Sequence, residues 1–216
     1  YYVWAAQQLD RRDTHTTFCV PTGNFGNVFA GHCARRMGLP IERLLVASNT
    51  NDILTRLIRT GTMTAEEVVP TLSPSMDIQI SSNLERLLFE LLGANGPATA
   101  ELLTDFRATG SASLRPEQHT ELIAGFAGGR LDDTETLDVI RDIRDSKGML
   151  VEPHTAIGIG VARRLRRVDE TVVTLATAHP AKFGAAVKAA VGADPVLPAH
   201  MADLFDREER FISLPN

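Results

Sequence analysis

Seven consecutive residues, Pro21-Thr22-Gly23-Asn24-Phe25-Gly26-Asn27, have the types and order of an anion cradle. Glycine lets a backbone approach a ligand closely, and the free N–H groups of a following helical turn point at an anion along the helix dipole. Asn24 and Asn27 add amide donors without adding charge. No Lys-Ser or Lys-Thr follows the last glycine, so this is not the loop that holds a nucleoside triphosphate. The G-x-G-x-x-G spacing of a dinucleotide fingerprint is missing too. What remains is capture of a single phosphate ester, as carried by a sugar phosphate or a vitamin cofactor. The plainer alternative is a strand-to-helix turn capped by Thr22 or Asn24.

Other side chains with chemical potential are scattered along the chain. Ser81, Ser82, Asn83 and Arg86 gather at a helix start, and Asn83 and Arg86, three apart, share a face. Arg86 offers a two-pronged fork suited to phosphate, although an Arg one turn into a helix also serves as a surface charge. Thr177 ends a β-rich run, where a β-branched residue needs no functional reason. His154 and His179 adjoin prolines at turns. The lysines are Lys147, just before the helix-stopping Gly148, then Lys182, and Lys188 in a surface-like helix. No metal site is expected.

These residues need elements to position them. A β-run at 16–20 leads into the cradle and an amphipathic helix at 28–37 leads out. A second β-run follows at 43–48. Asn51 or Asp52 then caps a helix that stops at Thr60-Gly61, and 68–72 is another β-candidate. Alternating strands and helices predict a doubly wound, mainly parallel α/β sheet, whose ligands sit beyond the carboxyl ends of the strands. The middle reads as four helices without a strand, at 83–92, 98–108, 116–126 and 134–146, with stops at Gly93, Gly110, Gly128-Gly129 and Gly148. That makes 82–148 a helical insertion. Pro153 then opens a helix to about 166, in which Gly158 and Gly160 imply close packing. A buried strand at 171–177, a helix ending near Gly192, a last helix at 198–205 and an extended tail at 209–214 complete the pattern.

The totals exclude several classes. With 216 residues, 44% hydrophobic and 23% charged, the chain has an ordinary globular composition. A net charge of -5 gives no basic field for nucleic acid, and the apolar runs are too short to span a membrane. Cys19 and Cys33 suit free thiols of a reducing cytosol, so a cytoplasmic location is expected. Neither a monomer nor a homodimer is singled out. The chain opens on Tyr1-Tyr2-Val3-Trp4-Ala5-Ala6-Gln7-Gln8-Leu9, which reads as mid-helix without a cap. We therefore expect an incomplete domain, 1–216 being the C-terminal part of a longer polypeptide.

Three stretches taken together carry a family resemblance. They are 21–27, quoted above, Ser73-Pro74-Ser75-Met76-Asp77-Ile78-Gln79-Ile80-Ser81-Ser82-Asn83-Leu84-Glu85-Arg86, and Ala176-Thr177-Ala178-His179-Pro180-Ala181-Lys182-Phe183. Glu152-Pro153-His154-Thr155-Ala156 and Glu209-Arg210-Phe211 agree. The chain resembles threonine synthase, a pyridoxal 5'-phosphate (PLP) enzyme of the tryptophan synthase β-subunit fold (PLP fold type II large domain). The resemblance implies conversion of O-phosphohomoserine and water to L-threonine and phosphate. It implies that Gly23, Asn24, Phe25, Gly26 and Asn27 hold the cofactor phosphate and that Thr177 meets the pyridine nitrogen, where a hydroxyl does not force protonation as an aspartate would. It also implies a substrate-side role among Ser81, Ser82, Asn83 and Arg86. The family's Schiff-base lysine belongs to a segment expected before Tyr1, so no catalytic residue is assigned within this chain, and the chain alone is expected to be inactive. The partners implied are the small-molecule substrate and the remainder of the same polypeptide. A serine or threonine dehydratase-like eliminase of the same fold, or a non-catalytic phosphate-ligand module, are the alternatives.

Overall fold

A computed structural model describes residues 1–9 and 16–214. The chain runs α1 (Tyr2–Gln8), β1 (Thr16–Pro21), α2 (Gly26–Arg36), β2 (Ile41–Ser48), α3 (Ile53–Thr60) and β3 (Thr62–Thr64). It continues through α4 (Leu84–Leu91), α5 (Gly96–Thr109), β4 (Ser111–Ser113), α6 (Pro116–Gly125) and β5 (Phe126–Arg130). The last elements are α7 (Asp133–Lys147), α8 (Pro153–Leu165), β6 (Val172–Thr174) and α9 (Gly184–Val191). The central sheet has the order β5-β2-β1-β6, and each neighbouring pair is parallel.

β1 and β2 are buried on both faces, and their alternation sorts two cores. Phe18, Val20, Leu44 and Val46 point to one side, where they meet α2, α3 and α4 through Val28, Leu57 and Leu88. Cys19, Leu45 and Ala47 point to the other, against Ile157 and Val161 of α8. α7 and α9 close over α8 through Ile140, Ala156 and Ala190. The α/β architecture with a parallel sheet is thus the one expected. Burial of each large side chain in these layers stabilises the fold by about 1.5–3 kcal/mol.

Several features differ from the sequence reading. The stretch 82–148 has its helices, but it also contains β4 and β5, and β5 pairs with β2 in the central sheet. Gly128 and Gly129 therefore do not stop a helix. They flatten β5 between two layers: a Cβ on Gly128 would lie 2.9 Å from Thr55 Cα of α3, and one on Gly129 would lie 2.9 Å from Val161 Cγ1 of α8. Residues 68–72 form no strand, because side chains take the backbone groups a neighbouring strand would need. Asn51 Nδ2 donates to Val69 O and Val69 N donates back to Asn51 Oδ1, while Thr71 N donates to Asp77 Oδ2. The strand there is β3 instead, paired antiparallel with β4 in a separate ribbon. Accordingly Asn51 does not cap α3, and Asp52, its N-cap residue, makes no side-chain cap bond and grips Arg56 at 2.9 Å.

The expected buried strand at 171–177 is short and half-buried, since β6 is the last strand in the order on that side. Leu175 N still donates to Cys19 O, but Thr177 N donates to Thr155 Oγ1 of α8 and leaves the sheet. In place of one helix at 198–205 there are two single 3₁₀ turns, Ala199–Met201 and Leu204–Asp206. No described helix is long and apolar enough to cross a membrane.

A buried clasp ties the opposite end of the sheet from the cradle. The Glu170 carboxylate accepts from Thr17 Oγ1 (2.6 Å) on β1, Arg43 Nε and Nη2 (2.7 Å each) on β2, and Arg167 N (2.7 Å). The Arg43 guanidinium holds this carboxyl down to about 2.

Candidate functional site

β1 ends at Pro21, and Thr22 N still donates to Ala47 O of β2, so the cradle starts from a fixed point. Thr22 Oγ1 accepts from Phe25 N at 3.1 Å, which tightens the turn. Phe25 is the N-cap residue of α2 and has φ 63°, a left-handed backbone that is uncommon for a non-glycine residue. Its ring is buried near Phe126, and this packing fixes the turn. α2 begins without a side-chain cap bond and without an acidic residue in its first turn. The N-terminal N–H groups and dipole are thus matched to an anion.

Glycine is required where the loop 73–76 presses on the cradle. A Cβ on Gly23 would stand 2.9 Å from Ser75 O and 3.1 Å from Met76 Cα. Tyr2 OH donates to Asn27 O and Oδ1 at 2.7 and 3.1 Å, so Asn27 is held by its oxygens and its amide nitrogen carries the remaining donors.

The Ser81 group reaches the cradle as braces. Ser81 Oγ donates to Gly23 O at 2.8 Å, Ser82 Oγ donates to Asn24 Oδ1 at 3.3 Å, and Asn83 Nδ2 donates to Asn24 O at 2.9 Å. Asn83 lines the same cavity as the cradle, a hollow of about 390 Å³. Ser81 and Ser82 border a different, smaller space. Arg86 is exposed and faces another hollow, with Phe29, Phe89 and Thr99. Helical spacing put Asn83 and Arg86 on one face, but only the packing of α4 decides which end of that face meets the cavity.

Across the cavity stand Thr177, His154, Lys182 and Phe183. Thr177 is exposed, three residues past β6. His154 is buried, its ring lies 4.6 Å from that of Phe183, and its Nε2 has no partner among the described residues. Lys182 Nζ lies 5.6 Å from the Phe183 ring centroid. His179 does not line the cavity; its Nδ1 accepts from Ala181 N and starts the following turn. Lys147 and Lys188 are not at the cavity, and Lys188 pairs with Asp194 at 2.7 Å.

Glu152 organises this wall, and sequence reasoning quoted it without giving it a role. It is the N-cap residue of α8, fully buried, and accepts from His154 N (2.8 Å) and Thr155 N (2.7 Å). The same carboxylate accepts from His154 Nδ1 (2.6 Å), Thr155 Oγ1 (2.7 Å) and Thr177 Oγ1 (3.0 Å). Burial pushes its pKa up, but the hydrogen bonds from His154 and Thr155 outweigh this and leave the carboxyl below its ordinary value. A Glu directly before a Pro at the first helical position did signal a cap. The bond to Thr177, 25 residues away, had no sequence signal.

Known proteins resemble this chain in sequence and in fold. The family described as "Threonine synthase, C-terminal" matches residues 155–216. Threonine synthase of Pseudomonas aeruginosa is 50% identical over 218 residues, covering 100% of this chain and 46% of that protein. The Corynebacterium glutamicum threonine synthase is 40% identical over 225 residues, covering 100% of this chain and 47% of that protein. The crystal structure of PLP-bound threonine synthase from Brucella melitensis superposes with a TM-score of 0.96 at 46% identity, over 99% of this chain and 46% of that one. The chain thus spans about half the length of the curated relatives it matches. By sequence and by fold, the chain is similar over its whole length to threonine synthases, of which it matches a little under half.

Proposed function

We propose that this chain forms the phosphate-holding and ring-nitrogen side of a PLP site in a threonine synthase, which converts O-phosphohomoserine and water to L-threonine and phosphate. The observation that carries the reading is the facing of two groups across one cavity: the uncapped α2 terminus at Gly23–Asn27 and the exposed Thr177 hydroxyl. The residues fit the group. The cradle has a backbone approach that only glycine permits at Gly23, free helix-terminal donors, and a cavity wall with a lone hydroxyl for a heteroaromatic nitrogen.

Bound there, the cofactor would supply an electron sink for charge developing at the substrate. Gly23, Asn24, Phe25, Gly26 and Asn27 would hold its phosphate through backbone N–H groups and the two amides. Thr177 would face the ring nitrogen, oriented by Glu152. Asn83, which lines the cavity and donates to Asn24 O, would be the member of its group to touch a ligand, while Ser81 and Ser82 would keep the cradle in shape. None of Lys147, Lys182 and Lys188 is assigned the covalent role, which we place in a segment outside residues 1–216.

The test is product analysis with the intact protein and PLP. Threonine and phosphate released in equal amounts from O-phosphohomoserine support the reading. Serine or threonine converted to a 2-oxo acid and ammonia, with phosphohomoserine untouched, would assign dehydratase chemistry. Residues 1–216 alone, with PLP, are expected to give no turnover.

A further inference from the structure

Asp77 does not line the cofactor cavity, yet it fixes one of the cavity's walls. It follows a single 3₁₀ turn, Pro74–Met76, and its N–H donates back to Pro74 O at 3.2 Å. That turn is the part of the chain that presses on the cradle at Gly23, and Ser75 and Met76 line the cavity beside it. The Asp77 carboxylate anchors the turn to residues just past β2. Oδ1 accepts from Asn49 Nδ2 (2.7 Å) and Asn51 Nδ2 (3.0 Å), and Oδ2 accepts from Thr71 N (2.9 Å). Thr71 Oγ1 lies 2.6 Å from Oδ1. The orientation of both amides is set by backbone donors, since Asn49 Oδ1 accepts from Asn51 N and Asn51 Oδ1 accepts from Val69 N. Asn49 and Asn51 are buried. Each oxygen of Asp77 thus faces a fixed donor.

We propose that Asp77 is a positioning residue for the cofactor phosphate: through the turn at 74–76 it holds the Gly23 backbone in the shape the phosphate needs. The proposal rests on the PLP reading above and adds to it a residue that touches neither cofactor nor substrate. The physical chain is short. β2 ends at Ser48, and Asn49 and Asn51 stand just beyond it, so the sheet is what anchors them. Asn49 Nδ2 also donates to Ser73 Oγ at 2.9 Å, which holds the residue before the turn. There is no room for a Cβ between Gly23 and the turn, so a shift of the turn in one direction opens a gap beside Gly23 and in the other distorts the cradle. The position needs a carboxylate in particular. An amide at 77 would turn its own NH₂ toward Asn49 and Asn51 or toward Thr71 N, donor against donor in either orientation. An Asn of the same shape therefore loosens the turn and leaves the opposite wall, at Thr177 and His154, as it was.

The experiment compares PLP with pyridoxal, which lacks the phosphate, by absorbance titration of the intact protein. The ratio of the pyridoxal to the PLP dissociation constant reads what the phosphate contributes. Asp77→Asn is expected to lower that ratio about tenfold, through weaker PLP binding at unchanged pyridoxal affinity. Thr71→Val, which removes the hydroxyl 2.6 Å from Oδ1 and keeps the backbone donor, is expected to lower it about threefold. A ratio at the wild-type value in Asp77→Asn, or in Thr71→Val should the first variant not fold, would overturn the proposal, because a merely structural residue weakens both ligands alike. A wild-type protein that binds PLP no more tightly than pyridoxal would overturn the phosphate-cradle reading, and the proposal with it.

Discussion

Replacing Glu170 by Gln tests the clasp at the end of the sheet away from the cradle. The folded carboxyl titrates near 2 against an ordinary value of 4.5. The native state therefore binds fewer protons than the unfolded state between these values. The stabilisation is complete above 4.5 and is lost as pH falls toward 2. The gap corresponds to roughly 3 kcal/mol, which screening by nearby solvent reduces to about 2. The side chains of Arg43 and Glu170 are only 11% and 7% exposed, so the pair retains most of its strength in moderate salt. Urea unfolding of wild type and Glu170→Gln should differ by about 2 kcal/mol at pH 7 and by roughly half of that or less at pH 3. Using the difference between the two proteins removes the contribution of other carboxyls. An unfolding difference that stays the same from pH 7 to pH 3 would refute the assignment of the stabilisation to the ionised carboxylate.

Two further outcomes follow from close contacts. Gly128→Ala puts a methyl 2.9 Å from Thr55 Cα and should destabilise by about 1–3 kcal/mol, lowering Tm by several degrees; an unchanged Tm would mean that β5 and α3 separate freely. Ser81→Ala removes the 2.8 Å bond to Gly23 O and should weaken PLP binding roughly fivefold, about 1 kcal/mol, in an absorbance titration; equal affinity would show that the cradle does not need this brace.

The cradle was legible because strand, turn and helix are contiguous there, and each residue's role depends on neighbours a few positions away. The parallel sheet was legible for a similar reason, since the centres of β1 and β2, Phe18-Cys19-Val20 and Leu44-Leu45-Val46-Ala47, are unbroken apolar runs. Gly128-Gly129 was misread because glycine serves both to stop a helix and to let layers touch, and only the positions of Thr55 and Val161 decide between them. Residues 68–72 had strand composition, but Asn51 and Asp77 claimed their backbone groups from a distance. At the site, Thr177 carried a signal through its motif and Glu152 one for a helix cap, but nothing in the chain signalled the bond between them. A buried carboxylate earns its role from donors on α8 and beyond β6, and no spacing in the chain encodes their meeting.

The glycines of this fold also differ in how freely their positions can change over generations. At Gly129 and Gly160 the atoms in the way belong to side chains, Val161 and Leu131, so a larger residue can be accommodated if its neighbour first becomes smaller. At Gly128 the obstacle is the α3 backbone itself, which no substitution at position 55 removes. Two-step mutational routes are open at the first pair of positions and closed at the third. Lineages that diverge around α8 can therefore retain this strand intact, with position 128 held by geometry.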